Sequence, residues 1–174
     1  MASSSSSSAR VVIAMLLISV LGVASGNDLI FVACKMAGAP DTEFCKAALG
    51  SVGAGEHAKS YKELAAVAAD LLVANATSTK AKIDGLLASG GGLQALRSCQ
   101  ALYEGIVDGG RGSAAAIRGS RFREATAGLE KAATAARRCE DGFGKSGAPP
   151  SPVTKEGRDA DRLAELAVRL IGIA

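Results

Sequence analysis

The sequence has no tryptophan, and aromatic residues make up only 3% of its 174 residues. A chain this poor in aromatic side chains offers no platform on which bases or sugars could stack. Its formal net charge of +3 is also too small for a protein whose main partner is a phosphate backbone. Composition and charge therefore argue against a nucleic-acid-binding protein.

Patterns typical of catalytic and metal sites are missing as well. The chain has one histidine, His57, and no G-x-S-x-G turn of the kind that presents a nucleophilic serine. Its cysteines lack C-x-x-C spacing and no H-E-x-x-H occurs, so we expect no metal site. The glycine-rich stretches at 90–92 and 109–112 precede no G-K-[ST], which favours helix stops over phosphate-binding loops. We expect a protein that is not an enzyme and has no cofactor.

Long apolar stretches are absent except near the N-terminus. There Arg10 precedes a thirteen-residue apolar run, Val11 to Val23. Small residues follow up to Gly26, and polar Asn27 comes next. This order is typical of a secretory signal peptide. The run is shorter than the ~20 residues that span a bilayer. We therefore expect a signal peptide at 1–26, a mature domain at 27–174, export from the cell, and no membrane partner.

Four cysteines lie in the expected mature domain: Cys34, Cys45, Cys99 and Cys139. An even number of cysteines in an exported chain predicts disulfides, here two, and four cysteines allow three pairings. Cys34 and Cys45 are close enough in sequence to close a small loop, which would leave Cys99 with Cys139.

Apolar residues recur at spacings of three and four, which predicts an all-α fold. Two short helices at 28–37 and 41–49 would form a hairpin, followed by a flexible joint at 51–55. Longer helices are expected at 56–88, 93–108, 113–140 with a break near Gly119-Ser120, and 153–173. Glycines would end the first two long helices, and Ser151-Pro152 would start the last. The prediction is an up-and-down four-helix bundle preceded by a short N-terminal helical hairpin.

One glycosylation sequon, Asn75-Ala76-Thr77, lies inside the helical pattern. Glycosylation of Asn75 requires that this face of the helix be exposed.

Several motifs follow one another in a characteristic order. A cysteine hairpin from Cys34 to Cys45 precedes an A-L-x-x-C-x-x-x-Y motif at 95–103. A C-x-x-x-F motif at 139–143 and an amphipathic segment at 161–171 follow. Together they resemble the plant invertase and pectin methylesterase inhibitors over nearly all of 27–174. One departure is the hairpin, which has ten residues between its cysteines where the family commonly has eight.

The resemblance implies a four-helix bundle with disulfides Cys34–Cys45 and Cys99–Cys139. It also implies a secreted inhibitor that forms a one-to-one complex and blocks the active-site cleft of a plant enzyme. The target would be an acid invertase or a pectin methylesterase, and the location the apoplast and cell wall or the vacuole. A further alternative is a secreted helical module that binds or signals without inhibiting an enzyme.

Invertase inhibitors of this family carry a Pro-Lys-Phe segment that enters the target's active site. The aligned segment reads Gly119-Ser120-Arg121-Phe122, with serine in place of proline. Because a glycoside hydrolase cleft holds carboxylates, we expect Ser120, Arg121 and Phe122 to bind the target, and we slightly prefer acid invertase. The alternative is that Arg121 is a solvated cation and Phe122 a core residue.

Around this segment, region 111–138 holds seven basic residues against two acidic ones. The basic residues are Arg111, Arg118, Arg121, Arg123, Lys131, Arg137 and Arg138. Such an excess would steer the protein toward an acidic surface. A weak contact with acidic pectin would use the same charges, which keeps the pectin methylesterase target open. The alternative is an ordinary solvated helix face.

Overall fold

The computed structural model describes residues 26–38, 41–90, 94–144 and 150–174. Over these ranges the chain forms seven helices and no strand, which confirms the all-α prediction. They are α1 Gly26–Met36, α2 Thr42–Gly50, α3 Gly53–Glu56, α4 Tyr61–Ala88, α5 Gln94–Arg118, α6 Phe122–Gly144 and α7 Thr154–Ile171. The predicted signal peptide lies outside the described residues apart from Gly26.

Helices α4 to α7 form the predicted four-helix bundle. α4 and α6 each pack against both α5 and α7, and ion pairs between opposite helix ends show that neighbours run antiparallel. Asp70, early in α4, pairs with Arg118 at the end of α5. Lys82, late in α4, donates to Glu156 in the first turn of α7 at 2.7 Å. This bond also holds the pKa of the Glu156 carboxyl below its usual value. No described helix is both long enough and apolar enough to cross a membrane.

The core of the bundle combines a few large side chains with many alanines. Fully buried large residues include Leu64, Leu72, Ile83, Ile106, Ile117, Leu129 and Leu170. Alanine fills most of the positions between them. Small side chains at these positions let neighbouring helices approach closely.

The predicted end of the second long helix at 108 is wrong, because α5 continues through Gly109-Gly110 to Arg118. Gly110 is buried against α4, and a Cβ there would lie 2.8 Å from Val73 Cγ2. This glycine therefore allows two helices to approach, although glycine costs about 1 kcal/mol in a helix interior. The predicted helix at 113–140 therefore corresponds to two pieces, the last residues of α5 and most of α6.

α5 and α6 approach each other at a second glycine. A Cβ on Gly128 would overlap Ser113 Oγ of α5 and lie 3.6 Å from the carbonyl oxygen of Gly109. Ser113 is itself buried. A side chain at 128 would therefore force Ser113 Oγ to move.

The long helix α4 begins at Tyr61 rather than at the predicted residue 56. Ser60 caps it, since Ser60 Oγ accepts from the Glu63 N–H at 3.2 Å, while Glu63 Oε2 accepts from the Lys59 N–H at 2.7 Å. The arrangement resembles a capping box. Most of the predicted flexible joint at 51–55 lies in the single-turn helix α3.

The joint at 51–55 and the start of the last helix also differ from the prediction. Gly55 in α3 lies against the backbone of Leu49, where a Cβ would overlap the Leu49 carbonyl, so this joint is packed. The predicted cap Ser151 lies outside the last helix, which starts at Thr154. Ser151 Oγ instead accepts from the Val153 N–H and donates to Glu140 Oε1 at 2.8 Å.

The four cysteines are buried and bonded in two pairs. Cys34–Cys45 joins α1 to α2, and Cys99–Cys139 joins the start of α5 to the end of α6. This is the pairing that the family resemblance implies.

Two arginines of α7 hold the N-terminal hairpin against the bundle. Arg162 lies 3.8 Å from the centre of the Phe44 ring and forms an ion pair with Asp41. Asp41 also caps α2, since its Oδ1 accepts from the Phe44 N–H at 2.9 Å. Arg169 Nη1 donates to the carbonyl of Gly38 at 3.3 Å. The hairpin is thus fixed by charge and cation–π contacts in addition to apolar packing.

Candidate functional site

Ser120, Arg121 and Phe122 come together in the tight turn between α5 and α6. The N–H of Ser120 donates to Ile117 O at 2.9 Å, and the N–H of Arg121 donates to Ala116 O at 2.8 Å. These two bonds form the Schellman pattern that ends many helices. Ser120 occupies its left-handed position with φ of 57°, where a residue other than glycine costs about 1 kcal/mol. Two backbone hydrogen bonds therefore fix this turn.

The three side chains of the turn differ in their surroundings. Ser120 and Arg121 are exposed, and Arg121 Nε donates to Glu124 Oε2 at 2.8 Å. Both partners of this ion pair are more than half exposed, so the pair contributes at most about 1 kcal/mol and exchanges readily for other carboxylates. Phe122 is partly buried and packs against the core. Only Ser120 and Arg121 are therefore fully presented to a partner.

A cleft of about 240 Å³ lies beside this turn, between α3, the start of α4 and the end of α5. Its rim includes His57, Lys62 and Arg118. Lys62 Nζ donates to Ser120 Oγ at 3.4 Å, which connects the cleft to the turn. Sequence reasoning missed this cleft because Lys62 and Arg118 are far apart in the chain, and only the antiparallel packing of α4 on α5 brings them together.

His57 is held by a hydrogen bond to its own turn. It follows α3 instead of starting the long helix, and its Nδ1 lies 2.6 Å from the carbonyl oxygen of Gly53. A carbonyl oxygen only accepts, so Nδ1 carries the proton of this hydrogen bond. The described residues contain no cluster of His, Cys, Asp and Glu able to hold a metal ion.

The basic residues of 111–138 are largely neutralised within the fold. Arg111 lies 3.8 Å from Asp108, Arg118 pairs with Asp70, Arg121 with Glu124, and Arg137 with both Asp161 and Glu165. The remaining three, Arg123, Lys131 and Arg138, are exposed on α6. The excess seen in the sequence is therefore smaller on the folded surface.

A groove between α6 and α7 has Arg137 near its middle. The guanidinium of Arg137 bonds to Asp161 across the groove. Burial raises the pKa of the Asp161 carboxyl above its usual value, and the Arg137 charge acts in the opposite direction. This groove is a second candidate surface for a protein partner.

The sequon residue Asn75 lies in the middle of α4 and is only partly exposed. Its Oδ1 is buried and finds no hydrogen-bond partner among the described residues. Thr77 is exposed, and its Oγ1 donates to Val73 O at 2.7 Å. Glycosylation of Asn75 stays a prediction, and the partial burial of the amide in the folded chain argues against it.

Comparisons with known proteins agree on one family. The model of the family described as plant invertase/pectin methylesterase inhibitor matches residues 28–174. The chain is 36% identical to pectinesterase inhibitor 8 of Oryza sativa subsp. japonica over 131 residues, which cover 71% of this chain and 69% of that protein.

Two solved structures of pectin methylesterase inhibitors from Arabidopsis share the fold. A mutant form superposes with a TM-score of 0.66 at 20% identity, covering 80% of this chain and 93% of the other. A second structure, from Arabidopsis thaliana, gives 0.60 at 19% identity, with 83% and 94% covered. These likenesses concern the helical architecture alone.

Proposed function

Because the chain belongs to the plant invertase/pectin methylesterase inhibitor family, we propose that it inhibits a pectin methylesterase by forming a one-to-one complex over the enzyme's active-site cleft. The observation that carries the choice of target is the 36% identity to a rice protein named as a pectinesterase inhibitor. The slight preference for acid invertase finds no comparable support. In the aligned segment Ser120 replaces proline, Arg121 bonds to Glu124 and Phe122 packs partly against the core.

Inhibition of this kind needs a rigid surface rather than reactive groups. The bundle meets that need, since Cys99–Cys139 ties two of its helices and backbone hydrogen bonds fix the turn at Ser120. A preorganised surface loses little conformational entropy when it binds, so more of the contact energy appears as affinity. The inhibitor would act by excluding the substrate from the cleft.

We place Ser120, Arg121 and Phe122 in the contact with the target. Arg121 would exchange its exposed bond to Glu124 for a carboxylate of the enzyme, an exchange that costs little. Ser120 would lie at the contact without a charge of its own. Phe122 would add apolar area only through the part of its ring that the core leaves exposed.

The cellular location belongs to the same proposal. Cleavage after Gly26 would release a mature domain of 27–174 into the cell wall space, where pectin and its methylesterases occur, with the vacuole as the alternative. Two disulfides suit an oxidising compartment. The exposed cations Arg123, Lys131 and Arg138 would also allow weak contact with acidic pectin.

Purified 27–174 is expected to inhibit at least one plant pectin methylesterase and to leave acid invertases active. The assay titrates the protein against a panel of both enzymes, following methanol release or sucrose hydrolysis, and a tight complex would reach its end point at one inhibitor per enzyme. Reduced and alkylated protein serves as the unfolded control. Inhibition of invertase alone would reverse the choice of target. No inhibition of either class across several isoforms would favour a non-inhibitory binding or signalling module.

Replacing Arg121 by alanine is expected to raise the inhibition constant for the methylesterase about tenfold, the range for losing a hydrogen bond to a charged partner. The matched control is Arg123→Ala, which removes another exposed cation of the same helix end, and it should change the constant no more than about twofold. Far-UV circular dichroism checks that both variants fold. Equal effects of the two substitutions would show that the turn acts only through overall charge.

A further inference from the structure

We propose that the cleft rimmed by His57, Lys62 and Arg118 is a carboxylate-binding site that receives an acidic side chain of the target enzyme. The inference rests on the proposed function and adds a second contact to it. The cleft measures about 240 Å³, and buried Ala66 and Val67 contribute to its lining. Glu63 and Asp70 also line it, and Asp70 pairs with Arg118, so the unpaired cation is Lys62. Apolar walls beside this cation suit the methylene stem and charged head of an Asp or Glu side chain.

Lys62 supplies the charge of this site. Its Nζ donates to Ser120 Oγ at 3.4 Å, which is a long bond to a neutral group. Among the described residues no carboxylate lies within ion-pair distance of Lys62, and the two carboxylates beside it are engaged elsewhere. Asp70 pairs with Arg118, and Glu63 accepts from the Lys59 N–H. Lys62 is therefore a cation held in place without an internal counter-ion.

His57 lies beside Lys62 in the lining of the cleft. Because Nδ1–H donates to Gly53 O, Nε2 is the ring nitrogen left for a ligand. The charged groups that line the cleft with it are Lys62, Glu63 and Asp70 of α4 and Arg118 of α5. Since Arg118 is paired with Asp70, Lys62 is the cation left to bind a carboxylate.

The position of the cleft selects the enzyme as the source of the carboxylate. The hydrogen bond from Lys62 to Ser120 joins the cleft to the turn that carries Arg121, so a single protein surface that covers the turn also covers the cleft. A pectin chain would instead need a row of cations along its length, and the neighbouring cation Arg118 is already paired with Asp70.

The first test measures the cleft without the enzyme. Isotope-labelled 27–174 is titrated with sodium acetate, and with sodium chloride at equal ionic strength, while the NMR signals of His57 and Lys62 are followed. We expect saturable shifts with acetate that are lost in Lys62→Met. Shifts no larger than those in chloride would overturn the carboxylate site.

The second test measures the complex. Lys62→Met is expected to raise the Kd for the methylesterase about tenfold, whereas Lys59→Met, which removes an exposed cation three residues away, changes it less than about twofold. Equal effects of Lys62→Met and Lys59→Met overturn the enzyme contact.

The two tests separate this inference from the proposed function. If the unmodified protein binds no methylesterase, the proposed function and the enzyme contact both fail, and the acetate titration alone decides whether the cleft binds carboxylates. If Lys62→Met abolishes binding of trigalacturonate but leaves the Kd of the enzyme complex unchanged, the carboxylate comes from pectin. The assignment to the enzyme is then overturned.

Discussion

Replacing Cys99 and Cys139 together by alanine is expected to lower the free energy of unfolding by about 4 kcal/mol. The bond joins residues 40 apart in sequence, and the gain from closing a loop in the unfolded chain grows with its length. Both sulfurs lie in the core, so two alanines also leave a small unfilled volume. A loss of this size is a large fraction of the stability of an ordinary domain.

Urea unfolding followed by far-UV circular dichroism measures this loss. The matched control is Cys34→Ala with Cys45→Ala, which opens a loop of 11 residues and predicts a smaller loss of about 3 kcal/mol. Because that bond lies in the hairpin outside the bundle, part of its effect should appear as local opening of 26–50 in hydrogen exchange. If the hairpin variant proves the less stable of the two, the view of Cys99–Cys139 as the main covalent brace is wrong.

Replacing Gly128 by valine is expected to destabilise the protein by about 3 kcal/mol, the upper range for overpacking a well-filled interface. A Cβ at 128 already overlaps Ser113 Oγ, and the Gly109 carbonyl oxygen lies 3.6 Å behind it, which leaves no room for further atoms on that side. The added methyl groups would force α5 and α6 apart. The loss should appear in thermal unfolding as a lower midpoint.

Gly105→Val is the matched control, since Gly105 is also helical and a Cβ there meets nothing within 4 Å. We expect its stability to change by less than about 0.5 kcal/mol, because valine is at least as good a helix former as glycine. Shrinking the partner residue with Ser113→Gly should recover part of the Gly128→Val loss. Additive effects of these two substitutions would mean that residues 113 and 128 do not interact.

The periodicity of the sequence predicts the bundle well because it records which faces are buried. It predicts helix ends less well, and two glycine sites show why. Gly109-Gly110 looks like a helix stop in the sequence, but α5 continues through it and Gly110 packs against Val73. The true end lies at the expected break near Gly119-Ser120, where Ser120 takes the left-handed position. Whether a glycine ends a helix or lets a neighbour approach depends on tertiary contacts.

The candidate site, like the fold, can be predicted from the sequence only in part. The segment at 120–122 is visible in the sequence through its resemblance to an inhibitor motif, but its pairing with Glu124 and the partial burial of Phe122 depend on side-chain placement. The cleft of Lys62 and Arg118 has no local signal, because its residues meet only after α4 and α5 pack. Sequence spacing reports neighbours along one helix, whereas this site is shared between helices.

The arginines of α7 that hold the hairpin carry a consequence for biosynthesis. α7 is the last described helix to be made, yet it contacts α4, α6 and, through Arg162 and Arg169, the hairpin at the opposite end of the chain. A nascent chain can close its Cys34–Cys45 loop early, but α4 and α6 keep apolar faces uncovered until residues 154–171 arrive. The bundle can therefore close only after residues 154–171 have been made, because only they cover the apolar faces of α4 and α6.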